Sequence, residues 1–264
     1  EMKIATWNIN GIKARLENVR TWLLEAQPDV VCLQEIKSVD ENFPSEVFEE
    51  LGYNVETHGQ KSFNGVALLS KIPLEDVRRG LPGDDSDEQA RFIEGLAVEG
   101  DLAVRIAGIY LPNGNPIATE KFDYKKAWIE RLIDYAEARL ETDEAFLIAG
   151  DYNIIPTPAD CANPRAWEDD ALYQPESRDA FFTLTNLGLT DAVRATDSAD
   201  DTYTFWDYQA GAWQKNNGIR IDHILLSPRA ADRLEHAAID KHTRGWEKPS
   251  DHVPVWIELS TCEE

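Results

Sequence analysis

Phe146-Leu147-Ile148-Ala149-Gly150-Asp151-Tyr152-Asn153 runs from four apolar residues into a glycine, an acid and an amide. Four apolar residues in a row predict a short strand buried on both faces. Polar groups where such a strand stops predict a rim that carries chemistry. The same arrangement recurs at Trp7-Asn8-Ile9-Asn10, Gln34-Glu35, Arg220-Ile221-Asp222-His223 and Ser250-Asp251-His252. Each of these clusters follows or interrupts a run rich in Ile, Val, Leu or Ala. Acids, amides and a histidine from five distant segments point to a hard-cation site performing phosphoryl chemistry.

Further strands are predicted outward from this one. Val30-Val31-Cys32-Leu33, Val66-Ala67-Leu68-Leu69 and Ile224-Leu225-Leu226 read as buried strands. Residues 93–98 and 102–110 read as a hairpin turning at Gly100-Asp101, and Val253, Val255 and Ile257 alternate as in a half-buried last strand. Leu16, Val19, Leu23 and Ala26 share one helical face, closed by Pro28. Phe122, Ile129, Leu132, Ile133, Ala136 and Leu140 make a longer one behind the cap Thr119. Shorter helices are expected at 45–51, 176–186 and 228–234, and long loops at 155–164 and 202–217. Hairpins mixed with helices predict an α/β fold of two packed sheets with helices outside. The motifs span residues 8 to 252, so residues 1–264 are expected to form one domain.

An apolar content of 42% supports a real core, and 8 Trp, 8 Tyr and 9 Phe exclude a disordered acidic tail. No apolar run is long enough to cross a bilayer, and the N-terminus opens into a strand, so neither a membrane span nor a secretory signal is expected. Cys32, Cys161 and Cys262 are far apart and in no metal spacing. That predicts free thiols in a reducing cytoplasm. The formal charge of −23 argues against nonspecific binding of a polyanion. The acids concentrate, however, in 84–88, 168–170 and 197–201, which read as solvated loops. Lys13, Arg15, Lys37, Lys61 and Arg91 recur nearer the polar clusters, as do Lys215, Arg220, Lys241, Arg244 and Lys248. The acidic excess is read as an adaptation to solubility or salt. A basic rim with bound cations is enough to hold a phosphate backbone.

Glu35, ending a strand, is the strongest metal candidate, because a carboxylate there cannot stay buried and unpaired. Magnesium takes oxygen ligands, and Asn8 or Asn10 with Asp251 complete a set; pairing of Glu35 with Lys37 is the other reading. Asp151 and Asn153 are two apart and in extended backbone point the same way, able to activate water and donate to a phosphate oxygen. An Asx turn is the alternative there. Asp222 and His252 suggest a carboxylate orienting an imidazole. Tyr110, at the end of the hairpin and before Leu111-Pro112-Asn113, offers a phenol to a phosphate or to the core. His58, His223, His236 and His242 read as surface or packing residues.

Taken in order, these segments resemble the exonuclease III family of abasic-site endonucleases, within the larger endonuclease–exonuclease–phosphatase fold. The resemblance rests on residues 6–14 (Thr-Trp-Asn-Ile-Asn-Gly-Ile-Lys-Ala), 32–37 (Cys-Leu-Gln-Glu-Ile-Lys) and 65–70 (Gly-Val-Ala-Leu-Leu-Ser). It continues through 150–154 (Gly-Asp-Tyr-Asn-Ile), 204–208 (Thr-Phe-Trp-Asp-Tyr), 220–222 (Arg-Ile-Asp) and 247–252 (Glu-Lys-Pro-Ser-Asp-His). It implies a four-layer α/β sandwich and Mg²⁺-dependent cleavage of DNA, with Mn²⁺ as a substitute. By resemblance, Glu35 ligates the metal with Asn8, Asn10 and Asp251. Asp151 activates water, Asn153 stabilises the transition state, and Tyr110 and His252, the latter oriented by Asp222, contact the phosphate. Phe205, Ile219 and Ile221 build the pocket for a sugar without its base, and Lys37, Arg91 and Asn113 are assigned to substrate binding. The implied partner of this monomer is double-stranded DNA with abasic sites or 3′ ends, with no membrane. The implied activity is cleavage 5′ to abasic sites, with 3′→5′ exonuclease and 3′-phosphatase activities. A phosphatase or phosphodiesterase of the same fold and a non-enzymatic nucleic-acid-binding regulator are the alternatives.

Overall fold

The computed structural model describes residues 1–197, 199 and 201–263. Residues 198 and 200 of the acidic stretch 197–201 therefore lie outside the described residues. The strands are β1 (Met2–Asn8), β2 (Val30–Gln34), β3 (Asn54–His58), β4 (Val66–Ser70), β5 (Glu75–Arg79), β6 (Phe92–Glu99), β7 (Leu102–Tyr110), β8 (Ala145–Asp151), β9 (Thr190–Asp191), β10 (Asp222–Leu226), β11 (Leu234–Ile239) and β12 (Val255–Leu259). The helices are α1 (Ile12–Ala26), α2 (Ser45–Glu49), α3 (Glu120–Glu141), α4 (Pro175–Asn186), α5 (Ala192–Thr196) and α6 (Pro228–Ala231).

Two six-stranded mixed sheets result, in the orders β11-β12-β1-β2-β4-β3 and β5-β6-β7-β8-β10-β9. Parallel neighbours need a crossover. α1 supplies it between β1 and β2, and α3 between β7 and β8. Period-two alternation then sorts the side chains. Val30, Cys32, Leu147, Ala149, Ile224 and Leu226 pack between the sheets. Val31 and Leu33 face outward with Val19, Trp22 and Leu23 of α1, while Phe146 and Ile148 face outward with Trp128, Ile129 and Leu132 of α3. Helix, sheet, sheet and helix make the four layers expected.

Two readings need correction. The segment 228–234 is helical only to Ala231, because Leu234 already begins β11. The hydrophobic pattern also left β3, β5, β9 and β11 unannounced. All four are sheet edges. Edge strands are kept polar against edge-to-edge association, and Glu-Asp-Val-Arg-Arg of β5 shows it.

Candidate active site

One edge of the sandwich gathers the polar clusters. In the first sheet Asn8 stands opposite Gln34, at the carboxyl ends of β1 and β2. In the second, Tyr110 and Asp222 each stand opposite Asp151 on either side. The segment before β12 runs antiparallel past the end of β1, where the Ser250 hydroxyl donates to the Asn8 carbonyl at 2.7 Å. By alternation, Asn8, Tyr110, Asp151 and Asp222 share the inner faces with Ile4, Ile106, Ala149 and Ile224. They therefore converge between the sheets. Glu35 lies one residue beyond β2 and is left-handed, at φ 50°, which breaks the alternation that would have sent it outward. Such backbone in a non-glycine residue costs about 1–2 kcal/mol.

The Asn8 amide donates to Glu35 Oε2 at 2.7 Å and to Asp151 Oδ2 at 2.9 Å. His252 Nδ1 donates to Asp222 Oδ2 at 2.8 Å, and its Nε2 lies 3.5 Å from Asp151 Oδ2. Burial opposes a charge on His252, but Asp222 and Asp151 outweigh it and hold the imidazole protonated, well above its ordinary range. Burial, with Asp222 adding to it, raises Asp151 to about 7 against the pull of His252 and the Asn8 amide. Burial and the nearby Glu35 and Asp151 keep the Tyr110 phenol protonated.

Asp151 and Asn153 are not side by side on extended backbone. The strand stops at Asp151, Asn153 is left-handed at φ 47°, and its N–H donates to Asp151 Oδ1 at 2.9 Å. The Asx turn is thus what joins them. The Asn153 side chain donates to the Leu111 carbonyl at 2.7 Å, which aims it at the same cavity.

The donor set suits a divalent cation. Oxygen or nitrogen atoms of Glu35, Asp151 and His252 lie within 4.8 Å of one another. The His252 imidazole, bound to Asp222 and held protonated, is no cation ligand, which leaves the Glu35, Asp151 and Asp251 carboxylates as the oxygen donors lining this part of the cavity. Asp251 Oδ1 is buried without a hydrogen-bond partner, and burial and repulsion from Glu35 raise its pKa. A buried lone pair facing a second carboxylate is what an oxygen-seeking cation satisfies.

A cavity of about 390 Å³ is lined by Glu35, Tyr110, Asn113, Asp151, Asn153, Phe205, Ile221, Asp251 and His252. Trp167, Asp170 and Leu172 complete its wall. Phe205 sets its ring edge against His252, with centroids 5.1 Å apart. Ile219 lies behind, packed with Ile155 and Cys161. Asn8 and Asp222 stand behind the lining and reach it through Glu35, Asp151 and His252, and three further expected residues, Asn10, Lys37 and Arg91, also lie outside it. Asn10 is bound by Lys37 Nζ at 2.7 Å and donates to the Tyr208 hydroxyl at 3.1 Å, Lys37 reaches Glu35 only at 3.9 Å, and Arg91 stacks on the ring of Tyr110 at 4.9 Å. Trp206 is buried core, packed by Trp213 of the 213–217 loop. Asp170, read as part of a solvated loop, instead accepts from Asn115 Nδ2 at 3.0 Å and from the Leu172 N–H at 2.9 Å. A larger cavity of about 830 Å³ lies between α3 and residues 78–87. Its buried carboxylate, Glu94, is already held by Tyr135, Arg139 and Arg105.

His223 is a buried packing residue in the neutral form. Arg220 donates to Nδ1 at 3.2 Å, so Nε2 carries the proton given to the Ile154 carbonyl at 2.9 Å. Burial first, then Arg220, depress its pKa from 6.5 to about 4. Between those values the unfolded chain binds a proton that the native chain refuses. This term is therefore absent above pH 6.5 and costs stability as pH falls, reaching about 3 kcal/mol at pH 4. Urea unfolding of the wild type and His223→Gln from pH 7 to pH 4 should show the shallower decline in the variant. Parallel curves would refute it.

A two-sheet sandwich with an acid-and-amide rim at one edge is the build of phosphoesterases, and the chain belongs to the endonuclease/exonuclease/phosphatase family, whose profile matches residues 5–252. More particularly, it is 40% identical to exodeoxyribonuclease III of Haemophilus influenzae, over 98% of this chain and 100% of that one. Among solved structures, the 3′ phosphatase NExo from Neisseria bound to a product DNA hairpin superposes with a TM-score of 0.92 at 36% identity. That match covers 98% of this chain and 100% of the other. An AP endonuclease from Archaeoglobus fulgidus gives 0.90 at 35% identity, covering 98% and 99%.

Proposed function

We propose that residues 1–264 form one catalytic domain of a magnesium-dependent DNA repair nuclease. It cuts the phosphodiester 5′ to an abasic site, trims nucleotides from 3′ ends and removes 3′ phosphates. The observation that carries this reading is the convergence of Asp151, the Asn8–Glu35 pair and the Asp222–His252 pair on one cavity with apolar walls. Glu35 and Asp251 would hold a divalent cation, Mg²⁺ in the cell or Mn²⁺ as a substitute, which would neutralise charge at the phosphate. Asp151, with a pKa of about 7, accepts the proton of the attacking water. The His252 imidazolium and Tyr110 phenol donate to the non-bridging oxygens from opposite sides. The second N–H of Asn153 joins them, so three preoriented donors meet charge where it develops. Phe205, Ile221, Leu172 and Trp167 leave room for a bare sugar, and extruding a nucleotide costs least where no base is stacked.

The net charge of −23 opposes nonspecific DNA binding, but it is not uniform over the surface. Lys13, Lys37 and Lys61 line one depression, a local basic surface beside the acidic centre. Among the described residues no helix is long and apolar enough to cross a membrane, and all three cysteines are free; a cytoplasmic monomer is part of the proposal. The test is a labelled duplex with one synthetic abasic site. With Mg²⁺ the expected product is a strand cut 5′ to the lesion bearing a 3′ hydroxyl, and chelator should abolish it. Hydrolysis of inositol phosphates with the duplex left intact would favour the phosphatase alternative.

A further inference from the structure

Lys125 lies on the apolar stripe of α3 with Phe122, Ile129 and Leu132, and its side chain is fully buried. Its Nζ donates to the carbonyls of Asn113 at 3.1 Å, Asn153 at 2.6 Å and Ala171 at 3.5 Å. An ammonium has three N–H donors, and each meets one carbonyl. Asp170 and Asp151 act on it only at longer range, and burial pushes its pKa down to about 7. A position that only packed a helix would carry Leu or Met and avoid this desolvation.

The three carbonyls belong to three separate segments, and each segment carries a wall of the cavity. Asn113 lies between β7 and α3, Asn153 follows β8, and Ala171 sits between Asp170 and Leu172. The first segment is moulded to the lysine stem. Gly114 has φ +87°, and a Cβ there would stand 2.6 Å from Lys125 Cδ. The first and third are also laced together, the Ala171 N–H donating to Asn115 Oδ1 at 2.8 Å.

We propose that Lys125 is a positioning residue for phosphodiester cleavage, its ammonium tying these segments so that Asn153, Asn113 and the Trp167–Leu172 wall keep their mutual register. This rests on the nuclease reading above. The test is a double-mutant cycle in the full chain on the abasic duplex with Mg²⁺, using Lys125→Met, Asn153→Ala and their combination. Lys125→Met should lower kcat about 10- to 100-fold with KM within about twofold, since misplacement by about an ångström is enough for such a loss. The double variant should be slower than Asn153→Ala by clearly less than the factor that Lys125→Met causes alone, because part of the effect of Lys125 runs through Asn153. Leu132→Ala, on the same stripe, should lose stability and keep kcat. Should Lys125→Met not fold, Lys125→Gln carries the same comparison. A kcat within twofold of wild type, or losses that multiply in the double variant, overturns the inference while the nuclease reading stands. Inactivity of the wild type on this duplex overturns both.

Discussion

Asp151→Asn is expected to lower the turnover of abasic-site incision by about 10³- to 10⁴-fold while DNA affinity changes only a few-fold. The substitution conserves shape, so the loss is chemical. Asp151 Oδ2 accepts from Asn8 and Oδ1 from the Asn153 N–H, with the His252 imidazolium alongside. An amide cannot take up a proton from water. Its NH₂ would also face one of these donors, leaving a buried donor unpaired. Single-turnover cleavage with enzyme in excess isolates this step from product release. A rate within tenfold of wild type would remove Asp151 from the role of base.

Glu35→Gln is expected to lower the rate at millimolar Mg²⁺ by about 10³-fold and to raise the Mg²⁺ needed for half-maximal activity by about 10²-fold. The glutamine can still accept from Asn8, so the hydrogen bond of 2.7 Å survives. What is lost is one of the two negative charges, Glu35 and Asp251, which repel each other and whose repulsion a bound cation would relieve. Binding to the native state alone also stabilises the fold by mass action. Mg²⁺ or Mn²⁺ should therefore raise the melting temperature of the wild type and not of Glu35→Gln. This second readout needs no turnover, and equal shifts in both proteins would place the cation elsewhere.

Much of this site was legible because its residues obey the strand period. Asn8, Asp151 and Asp222 end apolar runs, and the alternation that buries Ile4, Ala149 and Ile224 also points these three inward. Lys125 was not singled out by sequence, although it stands three residues after Phe122 and four before Ile129 on the apolar face of α3; its burial and its three carbonyl partners emerged only from the packed structure. Trp167 and Leu172 gave no signal in sequence. They reach the cavity through a loop of short turns, pinned by Asn115 and Asp170, and loop paths have no periodicity to read. Asn10 and Lys37, expected at the site by sequence position, bind each other at its margin, with Lys37 Nζ 3.9 Å from Glu35.

The chain's own order of residues determined the buried strands, the two crossover helices, the polar rim and the chemical kinds of group on it, since these follow from local propensity and period. Only the packed structure decided which rim groups meet. The Asp222–His252 bond joins residues 30 apart and the Asn8–Asp151 bond residues 143 apart. The sheet edges were likewise settled in three dimensions, where solvent on one side relaxes the demand for apolar residues. Contacts between distant segments depend on sheet order and on left-handed turns such as that at Glu35, which trade local strain for tertiary bonds.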